Sequence, residues 1–182
     1  VENAIKIAID LKNFNNKKNK INIDPNKLEI ISFKNGFHGV TGYTLNLSDN
    51  KLKVSGLPII KWPKFNASVH DYENDKCPNV DRNLNILEEY INKKDKKNKI
   101  AAIIIETIQG GGGDKHICKD FLNGLAKIIK KNKILFIDDE VQTGFGVTGK
   151  LWAFQKKYYN FTPDLLAFGK KSQISGVCIN KN

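Results

Sequence analysis

Two hydrophobic periods run along this chain, and the switches between them mark out its elements. Over VENAIKIAIDLKNF (1–14), Ala4, Ile5, Ala8, Ile9 and Leu11 recur near helical spacing, which predicts an amphipathic helix. A polar loop ending at Asp24-Pro25 leads into KLEIISF (27–33), whose apolar run predicts a buried strand. NGFHGVTGY (35–43) is a glycine-punctuated turn that opens an element of unassigned type. Residues 46–80 scatter aromatics among Pro58, Pro63 and Pro78 and read as a long irregular excursion. VDRNLNILEEYINKK (80–94) restores helical spacing through Leu84, Leu87 and Ile91.

The second half repeats a unit. KIAAIIIE (99–106) predicts a strand, KDFLNGLAKIIKKN (119–132) a helix and KILFID (133–138) a strand. LWAFQKKYY (151–159) is helix-like, and PDLLAFG (163–169) is a further strand. Continuous apolar strands alternating with helices predict an α/β fold, a mostly parallel sheet with helices on both faces. The 182 residues suit one domain, or most of one.

Composition narrows the function classes. The formal charge of +11 invites a nucleic-acid partner, but Arg82 is the only arginine. The lysines lie in Lys/Asn stretches such as 13–20 and 92–99, with no interleaved aromatics to stack bases. Solvated lysine-rich faces are the expectation, and no nucleic acid. Cys77, Cys118 and Cys178 lie far apart without C-x-x-C spacing and are expected to be reduced thiols in a cytoplasmic protein. With only His38, His70 and His116 beside them, zinc spacing is missing and no metal is expected. No apolar run approaches the ~20 residues of a membrane span. A chain that starts at Val1 and contains no Met is expected to be a piece of a longer protein.

Candidate chemistry gathers at strand ends, because open parallel sheets bind ligands beyond the carboxyl ends of their strands. Glu106 closes one strand, Asp138 and Asp139 another, and Lys170 and Lys171 a third. ILFIDDEVQTGFGVTGKLW (134–152) also invites a nucleotide reading, since GFGVTGK comes close to a phosphate loop. However, Leu151 stands where that loop needs Ser or Thr, and Asp139 through Thr143 separate the strand from the first glycine. A lysine opposite an aspartate suits pyridoxal 5'-phosphate better. That cofactor needs an amine for a Schiff base and an acid for its pyridine nitrogen. Phe37 and His38 are candidates for one ring face and Val141 for the other.

DDEVQTGFGVTGKLWAF resembles the D-E-V-Q-T-G-x-G-R-T-G stretch of the class III aminotransferases. GFHGVTGYTLNLS (36–48) is similar to their F-H-G-R segment, and ETIQGGGGD (106–114) to E-P-I-Q-G-E-G-G. The agreement in order and spacing runs along almost the whole chain. FHGVTGYTLNLS, WPKF (62–65) and PDLLAFGKKSQISGV (163–177) most resemble the lysine 6-aminotransferase branch, with the 4-aminobutyrate branch next. The resemblance implies a fold-type-I large domain spanning residues 1–182 in part, without the phosphate loop and the C-terminal region. It implies Lys170 as the Schiff-base lysine and acid/base, with Lys171 as its rival. Asp139 would pair with the pyridine nitrogen, Val141 pack on the ring and Gln142 contact the ring hydroxyl. Phe37 and His38 would cover the second face, and Glu106 would support the site by hydrogen bonding. A ping-pong exchange between a small amino donor and 2-oxoglutarate is implied, in a homodimer.

Four positions depart from the family pattern. Val40 and Val147 replace arginines, Gly111 replaces the second glutamate, and Thr107 replaces proline. Arginine is the usual partner of a substrate carboxylate, so cofactor binding is the firmer expectation and 2-oxoglutarate handling the weaker. The leading expectation is transfer of the terminal amino group of lysine. A 4-aminobutyrate or ornithine enzyme, an inactive copy and a basic nucleic-acid-binding domain are the alternatives.

Overall fold

The computed structural model describes residues 1–49, 59–93, 96 and 98–181. Part of the expected excursion (50–58, with Pro58) and Lys94, the last residue of the helix expected over 80–94, lie outside the described residues. In chain order the elements are α1 (Glu2–Lys18), β1 (Glu29–Phe33), α2 (Gly42–Leu47), β2 (Lys64–Phe65), α3 (Val80–Asn92) and β3 (Ile100–Ile105). There follow β4 (Ile108–Gln109), β5 (Lys115–His116), α4 (Lys119–Asn132), β6 (Leu135–Asp139), β7 (Leu165–Phe168) and β8 (Gly176–Ile179).

Six strands form one sheet in the order β2-β1-β3-β6-β7-β8. β2, β1, β3, β6 and β7 are mutually parallel, and β8 returns antiparallel along β7. β3 sits at the centre with all six residues buried, because helices cover both of its faces. On one face Ile103, Ile105 and Phe136 pack against Leu87 and Ile91 of α3 and Phe121, Leu122 and Leu125 of α4. On the other, Ala4, Ile5 and Ala8 of α1 share a cluster with Ala101, Ala102, Ile104 and Ile137. Alanine on both helix and strand there lets α1 lie close to the sheet.

α4 forms over the residues that its spacing predicts. α1 runs to Lys18 instead of ending near Phe14, since Asn16 is buried and donates its Nδ2 to Asn98 O at 3.0 Å. Two expectations fail. Residues 151–159 hold only a three-residue 3-10 turn, Ala153–Gln155. Their aromatics are drawn to separate neighbours, Trp152 to Phe145 and Phe168, and Phe154 and Tyr159 to Phe161. Cys77 and Cys118 are not free thiols but a disulfide with a Cα–Cα separation of 5.9 Å. The excursion carries Cys77 back to the start of α4, where Ser68 O accepts Cys118 N and Val69 bridges Ile117. Linear spacing hides that proximity. Cys178 is free and exposed. Among the described residues no helix is long and apolar enough to cross a membrane.

Candidate active site

β1, β3, β6 and β7 end at the same edge of the sheet, so the residues that follow them converge. After β1 the chain turns through Asn35 and reaches Phe37 and His38. Ser48, at the end of α2, fixes this turn: its hydroxyl oxygen accepts His38 N (2.8 Å) and Gly39 N (3.1 Å) and donates to Gly39 O (2.7 Å). His38 Nδ1 then lies 2.8 Å from Asp139 Oδ2, and the two residues are only 4% and 3% exposed. A carboxylate can only accept, so Nδ1 carries the hydrogen. Val141 N donates to the other oxygen, Oδ1, at 3.2 Å. Asp139 therefore enters the crevice as a buried, oriented carboxylate with two donors.

Glu106 follows β3 and accepts Phe37 N at 2.8 Å on Oε1. Burial raises the proton affinity of its carboxyl to about 7, with Asp139 adding to the rise and His38, Phe37 N and Lys170 opposing it. Lys170 follows β7 with its backbone in the left-handed region (φ 54°), and its Nζ donates to Gln142 Oε1 at 3.1 Å. Positive φ in a lysine is strained and is retained only where surrounding structure imposes it. Here a short 3-10 turn, closed by Gln173 N to Lys170 O (3.0 Å), and the return into β8 impose it. Val141 is half-buried, and a Cβ added at Gly169 would lie 3.6 Å from its Cγ1. Phe37 is partly exposed and packs so close to Gly111 that a Cβ added there would meet its side chain.

Lys170, Gln142, Asp139, Val141, His38, Phe37 and Glu106 are thus brought together at one edge, from four strand ends. Asp138 is not among them: it faces the other side of the sheet, fully buried beside Glu140. Sequence reasoning did not single out Ser48 or Gly110. A Cβ on Gly110 would collide with the Gln142 amide, so the glycine makes room for the group that meets Lys170. The close run of four glycines (110–113) was the available signal. Val40 and Val147 are 46% and 47% exposed, in loops at this same edge. Lys150 is exposed and no α-helix follows its loop, so the segment has no helix N-terminus to hold a phosphate.

Among protein families, the model for aminotransferase class III matches residues 1–181. The chain belongs to the class III aminotransferases. Its relatives include L-lysine-epsilon aminotransferase of Streptomyces clavuligerus, 36% identical over an alignment of 185 positions that covers 97% of this chain and 39% of that protein. Another is 4-aminobutyrate aminotransferase of Emericella nidulans, 39% identical over 154 residues, 82% of this chain and 31% of that protein. The solved structure of lysine aminotransferase from M. tuberculosis in the internal aldimine form superposes with a TM-score of 0.87 at 34% identity. That match covers 100% of this chain and 41% of the solved one. The chain therefore spans about two fifths of the length of the lysine relatives it matches.

Pyridoxal 5'-phosphate is the cofactor of class III aminotransferases, and the residues present fit it. A buried carboxylate with a fixed orientation suits a protonated ring nitrogen. An amine across the crevice suits the aldehyde, and half-buried Val141 and partly exposed Phe37 offer apolar surface to a flat ring.

Proposed function

We propose that the protein to which this chain belongs transfers the terminal amino group of L-lysine to 2-oxoglutarate, giving the lysine semialdehyde and glutamate. The observation that carries this reading is the convergence of Lys170, Gln142, Asp139, His38 and Glu106 beyond four strand ends. The similarity to lysine aminotransferases over nearly the whole chain supports the choice of donor. When bound, pyridoxal 5'-phosphate supplies an aldehyde for the amino group and a ring that delocalises the electron pair left at the substrate carbon.

Lys170 supplies the amine that holds the cofactor and, once released, moves the proton at the amino-bearing carbon of the substrate. Asp139 would keep the ring nitrogen protonated, and His38 keeps Asp139 aimed. Gln142 orients Lys170 and would contact the ring hydroxyl. Val141 would pack on one ring face and Phe37 and His38 on the other, and Glu106 braces the segment that bears Phe37. Val40 and Gly111 bring no charge to the crevice, so the substrate carboxylates find partners elsewhere in the longer protein. That protein is a homodimer in this reading.

Turnover by the full-length protein with a panel of amino donors tests the proposal. Lysine is expected to give the highest kcat/KM, and no turnover with lysine overturns it. A second reading, a 4-aminobutyrate or ornithine enzyme, is favoured by the 39% identity to the fungal 4-aminobutyrate enzyme. The same panel separates the two.

A further inference from the structure

Asp138 and Glu140 flank Asp139 in sequence, and both are fully buried, 0% exposed. Their surroundings differ. Glu140 is well supplied with donors: Thr143 Oγ1 donates to Oε2 at 2.7 Å and Phe154 N to Oε1 at 3.1 Å. Neither oxygen of Asp138 receives any N–H or O–H from the described residues. Its polar neighbour is the Glu140 carboxyl itself. Two carboxylates have only acceptors between them, so they can bond only by sharing a proton. An unshielded pair of charges in a dry site is strongly disfavoured.

We propose that Asp138 is a positioning residue that holds a proton and donates it to the Glu140 carboxylate, locking the turn that aims Asp139 and Gln142. The proton rests on Asp138 because the donors around Glu140 favour the anion there and Asp138 has none. Burial is also the first cause that raises the proton affinity of both acids, well above the ordinary carboxylate value for Asp138. Glu140 is a fitting anchor. Its N–H reaches Ala167 O of β7 (2.8 Å) and its carbonyl accepts Gly144 N (3.0 Å), while its side chain holds residues 143 and 154. Asp139 precedes this anchor and Val141 and Gln142 follow it. The titratable groups that act on the pair are Asp139 on the same strand and Tyr159 from the 153–162 segment. Asp139 opposes a second negative charge on the pair, and the carboxylates in turn hold the Tyr159 phenol in its neutral form.

Loss of the shared proton leaves two anions side by side. The bonds from Glu140 to Thr143 and Phe154 then give way, and Asp139 and Gln142 lose their aim together. The cofactor site acquires an alkaline limit set by residues that touch no ligand. This rests on the reading of Asp139 and Gln142 as cofactor contacts.

The test compares full-length wild-type protein with Asp138→Asn, whose amide donates to Glu140 and has no proton to lose. Cofactor absorbance and retention are followed against pH. The wild type is expected to lose bound cofactor at alkaline pH, and Asp138→Asn to shift that midpoint upward by at least ~1 pH unit, a tenfold change in proton affinity. The limb from Glu106 near pH 7 is common to both proteins and cancels. Superimposable profiles overturn the proposal. A second arm uses the cofactor-free full-length protein. Above pH ~8, where Glu106 has ionised, infrared spectroscopy is expected to show a protonated-carboxyl band that Asp138→Asn removes. Its absence in the wild type overturns the shared proton whether or not cofactor binds. Failure of the wild type to bind cofactor, with the band present, counts against the Asp139 reading alone. Should Asp138→Asn not fold, Glu140→Gln is expected to abolish the alkaline limb in its place.

Discussion

Burial beside Asp139 leaves Glu106 with a proton affinity near 7, above the ordinary glutamate value of 4.5. A carboxyl whose folded pKa is raised contributes stability that is fully present below the unfolded value and is lost as pH rises through the folded one. The shift of roughly two and a half pH units corresponds to about 3 kcal/mol. The cofactor-free protein is therefore expected to melt at lower temperature at pH 8 than at pH 5. Glu106→Gln is expected to flatten that dependence, which thermal scans across the range would show. Two adjacent lysines present a sharper contrast. Lys170→Ala is expected to lose borohydride-reducible attachment of the cofactor and to slow turnover by on the order of 10²–10⁴-fold, while Lys171→Ala retains both; mass spectrometry after reduction reads the difference. Gly110→Ala pushes the Gln142 amide away from Lys170, and a roughly tenfold weaker kcat/KM with an unchanged melting temperature is the expected result. At this scale the sequence carried much of the site. Asp139 and Glu106 stand out because each closes an apolar run that had to be a strand, and Gln142 through the resemblance of DDEVQTG to the family stretch. What it hid were contacts between distant segments. Nothing in YTLNLS marks Ser48 as the group that pins His38, and it is the backbone twist at Lys170 and its bond to Gln142 that separate it from its neighbour.

Elements followed their hydrophobic period where packing and period agreed. α4 matches its spacing from end to end because Phe121, Leu122, Leu125, Ile128 and Ile129 all face one core. The 151–159 segment has comparable apolar content but no common face, and its rings pack in different directions. β8 was missed because Val177 and Cys178 sit on an edge strand with little burial to pattern it. The disulfide lay beyond linear reading for the same reason as Ser48. It closes a loop with a sequence separation of 41, which in the chain-entropy account stabilises the fold by about 4 kcal/mol. Reductant, or Cys77→Ser, is expected to lower the melting temperature. Because the bridged excursion meets the chain just after the β4–β5 hairpin, reduction should also loosen residues 108–116. Hydrogen exchange across that hairpin would register the change.

For the molecule as a whole, the α/β architecture followed from the order of strands and helices, whereas the surface did not. The +11 charge is spread over helix ends and loops, with Lys17 and Lys18 closing α1 and Lys130 and Lys131 closing α4, where cations offset the carbonyl ends. Exposed Val40, Phe145, Val147, Leu151 and Ile174 all lie in loops at the crevice edge, an apolar rim that suits a subunit contact. The full-length protein is expected to sediment at twice its chain mass. Charge substitutions at Val147 and Leu151 are expected to shift it toward the monomer in analytical ultracentrifugation. The buried contact between His38 and Asp139 bears on how fast such a protein becomes competent. Both partners of the contact belong to the chain itself, so the orientational entropy of the acid is lost during folding and not during loading. Cofactor uptake should then behave as entry into a rigid receptor: a single fast phase, with little change in backbone order at residues 38 and 139.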